Sequence, residues 1–392
     1  MKNGGYEKAM NKILLLLPDN VAAYCCSRRT FLKATAVAAT ASLCPALLTG
    51  CGDISSPSLE RKIAQMLLIG FRGTALSKDN PIVRDIRDYG IGGVILYDSN
   101  IVSPDQLKGL TSSMDALSSL PLFMAVDQEG GSVVRLKVDD GFPPTVSAQY
   151  LGEANDLNLT RMYADSIAVT LSRNGLNVNL APVVDLNINP DNPVIGKWER
   201  SFSTDPAIVV AQSREFIAAH DRNAVMTCLK HFPGHGSSKA DSHLGFVDVT
   251  TTWSETELDP YRELINDGQG RMVMTAHIFN RDLDPDYPAT LSQRIISGIL
   301  RERLGYNGVV VTDDMQMDAI SRYYGYDTAV EKAILAGVDI IMVANNSAFD
   351  PDVLPYTIKL VLRLIHNGTI TKQRIEESYS RIIAMKESLI RV

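Results

Sequence analysis

Cysteine is scarce in this chain, with 5 in 392 residues. Cys25, Cys26 and Cys44 fall within the first fifty residues, and only Cys51 and Cys228 follow. No C-x-x-C spacing occurs, which removes the commonest zinc pattern, and too few thiols remain for a disulfide framework. The fold must rest on its apolar core. Positive charge is also scarce beyond the N-terminus. Residues 1–50 carry six Lys and Arg against two Asp and Glu, which leaves residues 51–392 with 32 basic and 43 acidic groups, a net of −11. An acidic body has no electrostatic footprint for nucleic acid and disfavours a polyanionic substrate. Linkers, repeats and low-complexity stretches are absent after residue 57.

The N-terminus reads as a targeting segment. Ser27-Arg28-Arg29-Thr30-Phe31-Leu32-Lys33 precedes an alanine-rich apolar run over 34–48. A basic segment, a short apolar segment and small residues make an export signal, too short to span a membrane as a mature helix. The arginine pair is similar to the twin-arginine type. Leu47-Leu48-Thr49-Gly50-Cys51 resembles the lipobox of bacterial lipoproteins, in which Cys51 becomes the lipidated first residue. The expectation is a cleavable lipoprotein signal over 1–50, an anchor linker over 51–56 and one globular domain over 57–392. The protein would then be exported and held at a membrane by its lipid, facing the periplasm or the cell exterior.

Within that domain, short apolar β-branched runs alternate with helical patterns, as in parallel βα units. Eight runs predict strands over 66–71, 92–97, 122–127, 177–182, 224–231, 272–277, 308–313 and 339–345. Helices are predicted over 104–117, 160–174, 207–222, 255–266, 292–304, 329–336, 352–366 and 371–390. Apolar runs of this kind suit strands covered on both faces. Eight units point to a single (β/α)8 barrel of the TIM type, with a doubly wound open sheet as the alternative. The runs end in Tyr97-Asp98, Asp127-Gln128, Asp185, Lys230-His231, His277, Asp313-Asp314 and Asn345-Asn346. Nearly every strand therefore delivers a polar group to one rim, where barrel enzymes keep their chemistry.

Two of these rim segments carry the strongest chemical signal. Gly308-Val309-Val310-Val311-Thr312-Asp313-Asp314 ends a deeply apolar strand in two carboxylates, which burial would penalise without partners. One suits a nucleophile and one a helix cap, and adjacency alone does not assign them. Lys230-His231-Phe232-Pro233-Gly234-His235-Gly236 leads to Asp241-Ser242-His243, a loop rich in glycine and histidine. Asp241 and His243 are spaced for a carboxylate–imidazole hydrogen bond, which suits a general acid/base. Metal binding by His231, His235, Asp241 and His243 is the alternative. Asp127 opens Asp127-Gln128-Glu129-Gly130-Gly131-Ser132, a candidate polyol contact or a structural turn. Arg200 is either a ligand grip or a surface ion pair.

Taken together, Lys230–Gly236, Asp241–His243 and Thr312–Met317 resemble family 3 glycoside hydrolases, in the β-N-acetylhexosaminidase branch. The likeness runs from Pro57 to the C-terminus and implies a (β/α)8 barrel. It implies that Asp313 is the nucleophile and His243 the acid/base, supported by Asp241. It implies substrate contacts at Asp127, Arg135, Arg200, Lys230 and His231, with no cofactor and no metal. The sequence departs from the family pattern at Ser132, where Arg is common, and at Ser237-Ser238, where Asp-Thr is common. Lys197-Trp198-Glu199 also lengthens the usual spacing before Arg200.

The implied reaction is exo-acting hydrolysis of terminal β-linked N-acetylglucosamine through a covalent glycosyl-enzyme, with the glycan from peptidoglycan fragments or chitooligosaccharides. The implied partners are that glycan and a membrane, through the N-terminal lipid; nucleic acid is not among them, and a monomer is expected. The alternatives are a β-glucosidase of the same family, phosphorolysis in place of hydrolysis (a histidine acid/base tolerates an anionic acceptor), and a sugar-binding lipoprotein without catalysis. The family's β-glucosidases generally use a glutamate acid/base from a second domain, whereas Asp241 and His243 are present here.

Overall fold

Valine, isoleucine and leucine dominate the eight runs, and each becomes a strand whose residues are all buried. The structure is a computed structural model and describes residues 57–346 and 348–390. The expected signal over 1–50, the expected linker over 51–56 and Cys51 lie outside the described residues. The strands are β1 Leu67–Gly70, β2 Gly93–Leu96, β3 Phe123–Val126, β4 Val178–Asn179, β5 Met226–Phe232, β6 Met272–Thr275, β7 Val309–Thr312 and β8 Ile341–Val343. They pair in parallel in the order β7-β6-β5-β4-β3-β2-β1-β8. A parallel bridge between Val311 and Ile340 brings β7 against β8, with Thr312 N donating to Ile340 O at 3.0 Å. This closes the (β/α)8 barrel, and the open doubly wound sheet is not formed.

Helices follow the strands and cover the outside. Several start on a side-chain cap followed by proline, which suits the first helical turn. Ser103 accepts from Gln106 N ahead of Pro104–Leu117, and Asp205 accepts from Ala207 N ahead of Pro206–Arg222. Leu157–Arg173, Asp259–Asn266, Tyr326–Ala336, Val353–His366 and Lys372–Ile390 supply the remaining long covers, with π-helical turns over Arg294–Arg303. Among the described residues, no helix is long and apolar enough to cross a membrane.

Buried charge divides between the two ends of the barrel. At the N-terminal end of the strands, Lys386 Nζ donates to Gln65 Oε1 at 2.7 Å and to Gly92 O at 2.6 Å, which ties the last helix to the entries of β1 and β2. Asp339, ahead of β8, is fully buried between Arg301 and Arg381, at 2.7 and 3.1 Å. These groups serve the framework. The polar groups at the opposite end face a cavity.

Candidate active site

The C-terminal rim encloses a cavity of about 620 Å³. Asp127, Arg135, Arg200, Lys230, His231, Asp241, His243 and Asp313 all line it, which gathers eight of the nine site residues named from the sequence. The ninth, Cys51, lies outside the described residues.

The cavity floor is a compact ion-pair network. Lys230 Nζ lies 2.8 Å from Asp127 Oδ1 and 2.6 Å from Glu129 Oε1. Arg200 grips Glu129 in a two-pronged pair, Nε to Oε2 at 2.8 Å and Nη2 to Oε1 at 2.7 Å. Arg135 Nη2 reaches Asp127 Oδ2 at 3.3 Å. Burial opposes ionisation of Glu129, but Arg200 and Lys230 hold its carboxyl down at about 2. Against the same burial, Lys230 and Arg135 keep Asp127 below its ordinary range. The floor is therefore a set of fixed charges that need no rearrangement to meet polar groups of a ligand. Arg200 is thus a buried cavity residue and not a surface ion pair.

The glycine pair after Glu129 answers to packing. Gly130 and Gly131 have φ of 106° and 60°, and a Cβ on Gly131 would lie 2.7 Å from Ser147 Cα. Gln128 Oε1 accepts from Arg135 N and Leu136 N at 2.9 and 3.0 Å, pinning the turn that carries Arg135. The turn is structural, while Asp127 and Glu129 face the ligand space.

On β7 the two adjacent carboxylates separate. Asp314 Oδ1 accepts from Ala344 N at 2.8 Å and Gln316 N at 3.1 Å, tying the end of β7 to the end of β8. Burial pushes its carboxyl up to about 6. Among the described residues, Asp313 Oδ1 accepts from Asp314 N alone, at 2.8 Å. Burial would raise Asp313 too, yet His277, His231 and His243 hold it below the ordinary carboxylate range. His277 is fixed between Thr290 Oγ1, at 2.8 Å, and the Asp314 carbonyl, at 2.9 Å. The two neighbours thus have opposite shifts, Asp314 held in a backbone lock and Asp313 left charged towards the cavity.

The histidine loop above the floor is held ring by ring. His231 Nδ1 meets Asp185 Oδ2 at 2.7 Å, and Arg200 Nη2 lies 3.3 Å from His231 Nε2. His235 Nδ1 meets Ser238 Oγ at 3.0 Å and its Nε2 meets Ser242 Oγ at 3.2 Å. Ser238 thus supplies a hydroxyl to the loop that carries His243. His243 Nδ1 lies 2.7 Å from Asp241 Oδ1, and the same oxygen accepts His243 N at 2.8 Å. The His243 side chain is 59% exposed, so its Nε2 edge is open at the cavity mouth. Each imidazole has its own partner. Among the described residues no three His, Cys, Asp or Glu groups are arranged to hold a metal ion.

Residues 58–385 match the Glycosyl hydrolase family 3 N terminal domain. The chain belongs to glycosyl hydrolase family 3. This family 3 chain is 34% identical over 295 residues to a beta-hexosaminidase of Nitrosomonas eutropha, covering 73% of this chain and 81% of the relative. It is 32% identical to beta-hexosaminidase A of Pseudoalteromonas piscicida, over 86% of this chain and 58% of that one. Its fold is similar to a glycoside hydrolase family 3 beta-N-acetylglucosaminidase from Paenibacillus sp., at TM-score 0.79 and 34% identity over 86% of this chain and 63% of the other. It is also similar to a beta-N-acetylhexosaminidase from Beutenbergia cavernae, at TM-score 0.78 and 28% identity over 85% and 99% of the two chains. The chain therefore spans less than two thirds of the Pseudoalteromonas and Paenibacillus proteins, and nearly all of the Beutenbergia one.

Sequence reasoning left several residues of this family 3 site unassigned. Glu129 joins Arg200 to Lys230, and Asp185 holds His231, but neither was named as a site residue. Their position gave a signal. Glu129 sits two residues beyond Asp127, and Asp185 follows the apolar run of β4. Each lies at the rim and is buried, where an unpartnered carboxylate would be costly.

Proposed function

We propose that the chain is a retaining, exo-acting β-N-acetylhexosaminidase that releases terminal β-linked N-acetylglucosamine from peptidoglycan fragments or chitooligosaccharides. One observation carries this reading. Asp313, a part-buried carboxylate kept ionised by histidines, shares one cavity with His243, whose Nδ1 is tied to Asp241. In the first step Asp313 attacks the anomeric carbon while Nε2–H of His243 gives its proton to the leaving oxygen. The bond from that carbon to the leaving oxygen breaks as the bond to the Asp313 carboxylate forms. In the second step Nε2 takes a proton from water, whose oxygen attacks the same carbon and frees Asp313. Asp241 keeps Nδ1 protonated and leaves Nε2 to exchange the proton. Asp127, Arg135, Arg200, Lys230 and His231 meet the hydroxyls and N-acetyl group of the terminal sugar. The hexosaminidase and N-acetylglucosaminidase names of the relatives support this substrate, and the closed floor of the cavity supports removal from a chain end.

Export and lipid anchoring at Cys51 belong to the same reading, supported by the twin-arginine and lipobox patterns. The experiment that tests the activity compares cleavage of an aryl β-N-acetylglucosaminide with that of the aryl β-glucoside. Strong preference for the N-acetyl sugar is expected. Preference for the glucoside would overturn the substrate, and cleavage of neither by folded protein would overturn the hydrolase reading.

A further inference from the structure

The Lys197-Trp198-Glu199 extension places an indole where the cavity opens. Trp198 lines the cavity and is 52% exposed, whereas Lys230 and Glu129 on the floor have side chains that are 2% and 5% exposed. Its turn is firmly built. Lys197 N donates to Asn192 O at 3.0 Å, Glu199 N to Gly196 O at 2.9 Å, and Arg200 N to Ile195 O at 3.1 Å. Glu199 adopts a positive φ of 55°, and Gln149 N caps its carbonyl at 3.2 Å. Gly196 lies so near the chain that a Cβ there would sit 2.4 Å from Pro190 O. A half-exposed indole on a fixed turn that lines the cavity presents an apolar ring face to whatever fills it.

Its position says which part of the ligand. The floor carries the fixed charges, and His243, the proton donor to the leaving oxygen, shares the open mouth with Trp198. We infer that Trp198 is a specificity-determining residue that stacks against the pyranose ring of the leaving group, so that this chain favours oligosaccharides over glycosides with small leaving groups. The inference rests on the hydrolase reading above. The apolar face of a pyranose is about the size of the indole plane and loses little freedom on stacking, because an aromatic side chain has few rotamers to give up.

The test compares kcat/KM on N,N′-diacetylchitobiose with kcat/KM on N-acetyl-β-glucosaminyl fluoride, whose leaving group cannot stack. Trp198→Ala should lower the chitobiose-to-fluoride ratio at least tenfold, and Trp198→Tyr should restore most of it. Equal losses on both substrates, or no loss on chitobiose, overturn the inference. Binding gives a readout that does not need turnover. The chain has 2 tryptophans, so in Asp313→Asn the addition of chitobiose should shift Trp198 emission, and the shift should vanish in Asp313→Asn/Trp198→Phe. A shift that survives Trp198→Phe overturns the stacking. Failure of the unmodified protein to cleave either substrate would sink the hydrolase reading instead, with the emission experiment still deciding the role of Trp198.

Discussion

His231 is bound by Asp185 through both its ring and its backbone: Nδ1 meets Oδ2 at 2.7 Å, and the His231 amide lies 3.1 Å from Oδ1. The same carboxylate accepts His235 N at 2.8 Å, so one fully buried group orders the start of the whole histidine loop. Although burial opposes its charge, His231 keeps Asp185 below the ordinary range. Removing one partner of such a pair leaves donors unmatched in a dry site. Asp185→Asn is expected to cost about 3 kcal/mol of stability. It should also lower kcat/KM, because the ring orientation of His231 is lost. An unchanged urea midpoint would contradict this account.

His243 differs in being open to solvent, so its removal should affect chemistry more than folding. A general acid contributes about 10²–10⁴ in rate, and the need for it falls as the leaving group becomes a better one. His243→Ala should therefore lose roughly a thousandfold on chitobiose but less than about tenfold on a dinitrophenyl glycoside. Steady-state rates on the two substrates give the answer. Equal losses on both would speak against proton donation by this residue.

Much of this was legible before the fold was seen, because parallel strands covered on both faces must be apolar. All eight strands lie within the predicted runs, save that β5 extends one residue further, to Phe232. β4 is shorter than its run, 2 residues where six were expected. Pro182 has no amide to donate, and pairing with β5 resumes only as an isolated bridge at Val183. Among the helices not predicted, Leu59–Gln65, Ala148–Ala154 and Asp318–Tyr324 have 7 residues each, and Pro81–Arg84 has 4 before π-helical turns over Asp85–Tyr89. Two turns are too short to show a helical period. In the site, the residues at strand ends were found, whereas Glu129 was passed over because its partner Arg200 is 71 residues away. No local pattern carries such a pairing.

Glu257 gives a pH dependence that can be signed. It is buried against the histidine loop, and its Oε2 accepts Gly236 N at 3.0 Å. Burial pushes its carboxyl up from 4.5 to about 7. The folded state then holds a proton that the unfolded chain releases at lower pH. The resulting stability is complete below about 4.5 and is lost as pH rises through 7. That loss amounts to about 3 kcal/mol. Glu257→Gln should remove this slope, so the difference in urea midpoint between the two proteins should change between pH 4.5 and 7.5. Parallel midpoints across that range would place the ionisation elsewhere.

Lipid anchoring predicts a clean physical partition. A diacylated cysteine adds two chains, enough for stable membrane attachment where one would be reversible. In a bacterial host with lipoprotein processing, the full chain should enter the detergent phase of a Triton X-114 separation. Cys51→Ala should move it to the aqueous phase without loss of aryl-glycoside cleavage, since the barrel carries the site. Aqueous partitioning of the unmodified chain would count against the anchor.

Asp313 and Asp314 are adjacent, yet their surroundings assign them different work. Asp314 spends an oxygen on the Ala344 and Gln316 amides, and so locks the rim where β7 meets β8. Asp313 is kept ionised by the histidines that surround it, and among the described residues it accepts from Asp314 N alone. Asp313→Asn should reduce turnover by roughly 10⁴-fold or more, the scale of losing a nucleophile from a catalytic unit. Its folding should change little, because the asparagine oxygen can still accept from Asp314 N. Asp314→Asn should instead retain measurable turnover while losing about 1–2 kcal/mol of stability through weakened rim hydrogen bonds. Measuring turnover and urea midpoint for both variants separates the roles. If Asp314→Asn were the inactive one and Asp313→Asn the active one, the attacking oxygen would belong to Asp314, and the site would have to be rebuilt around it.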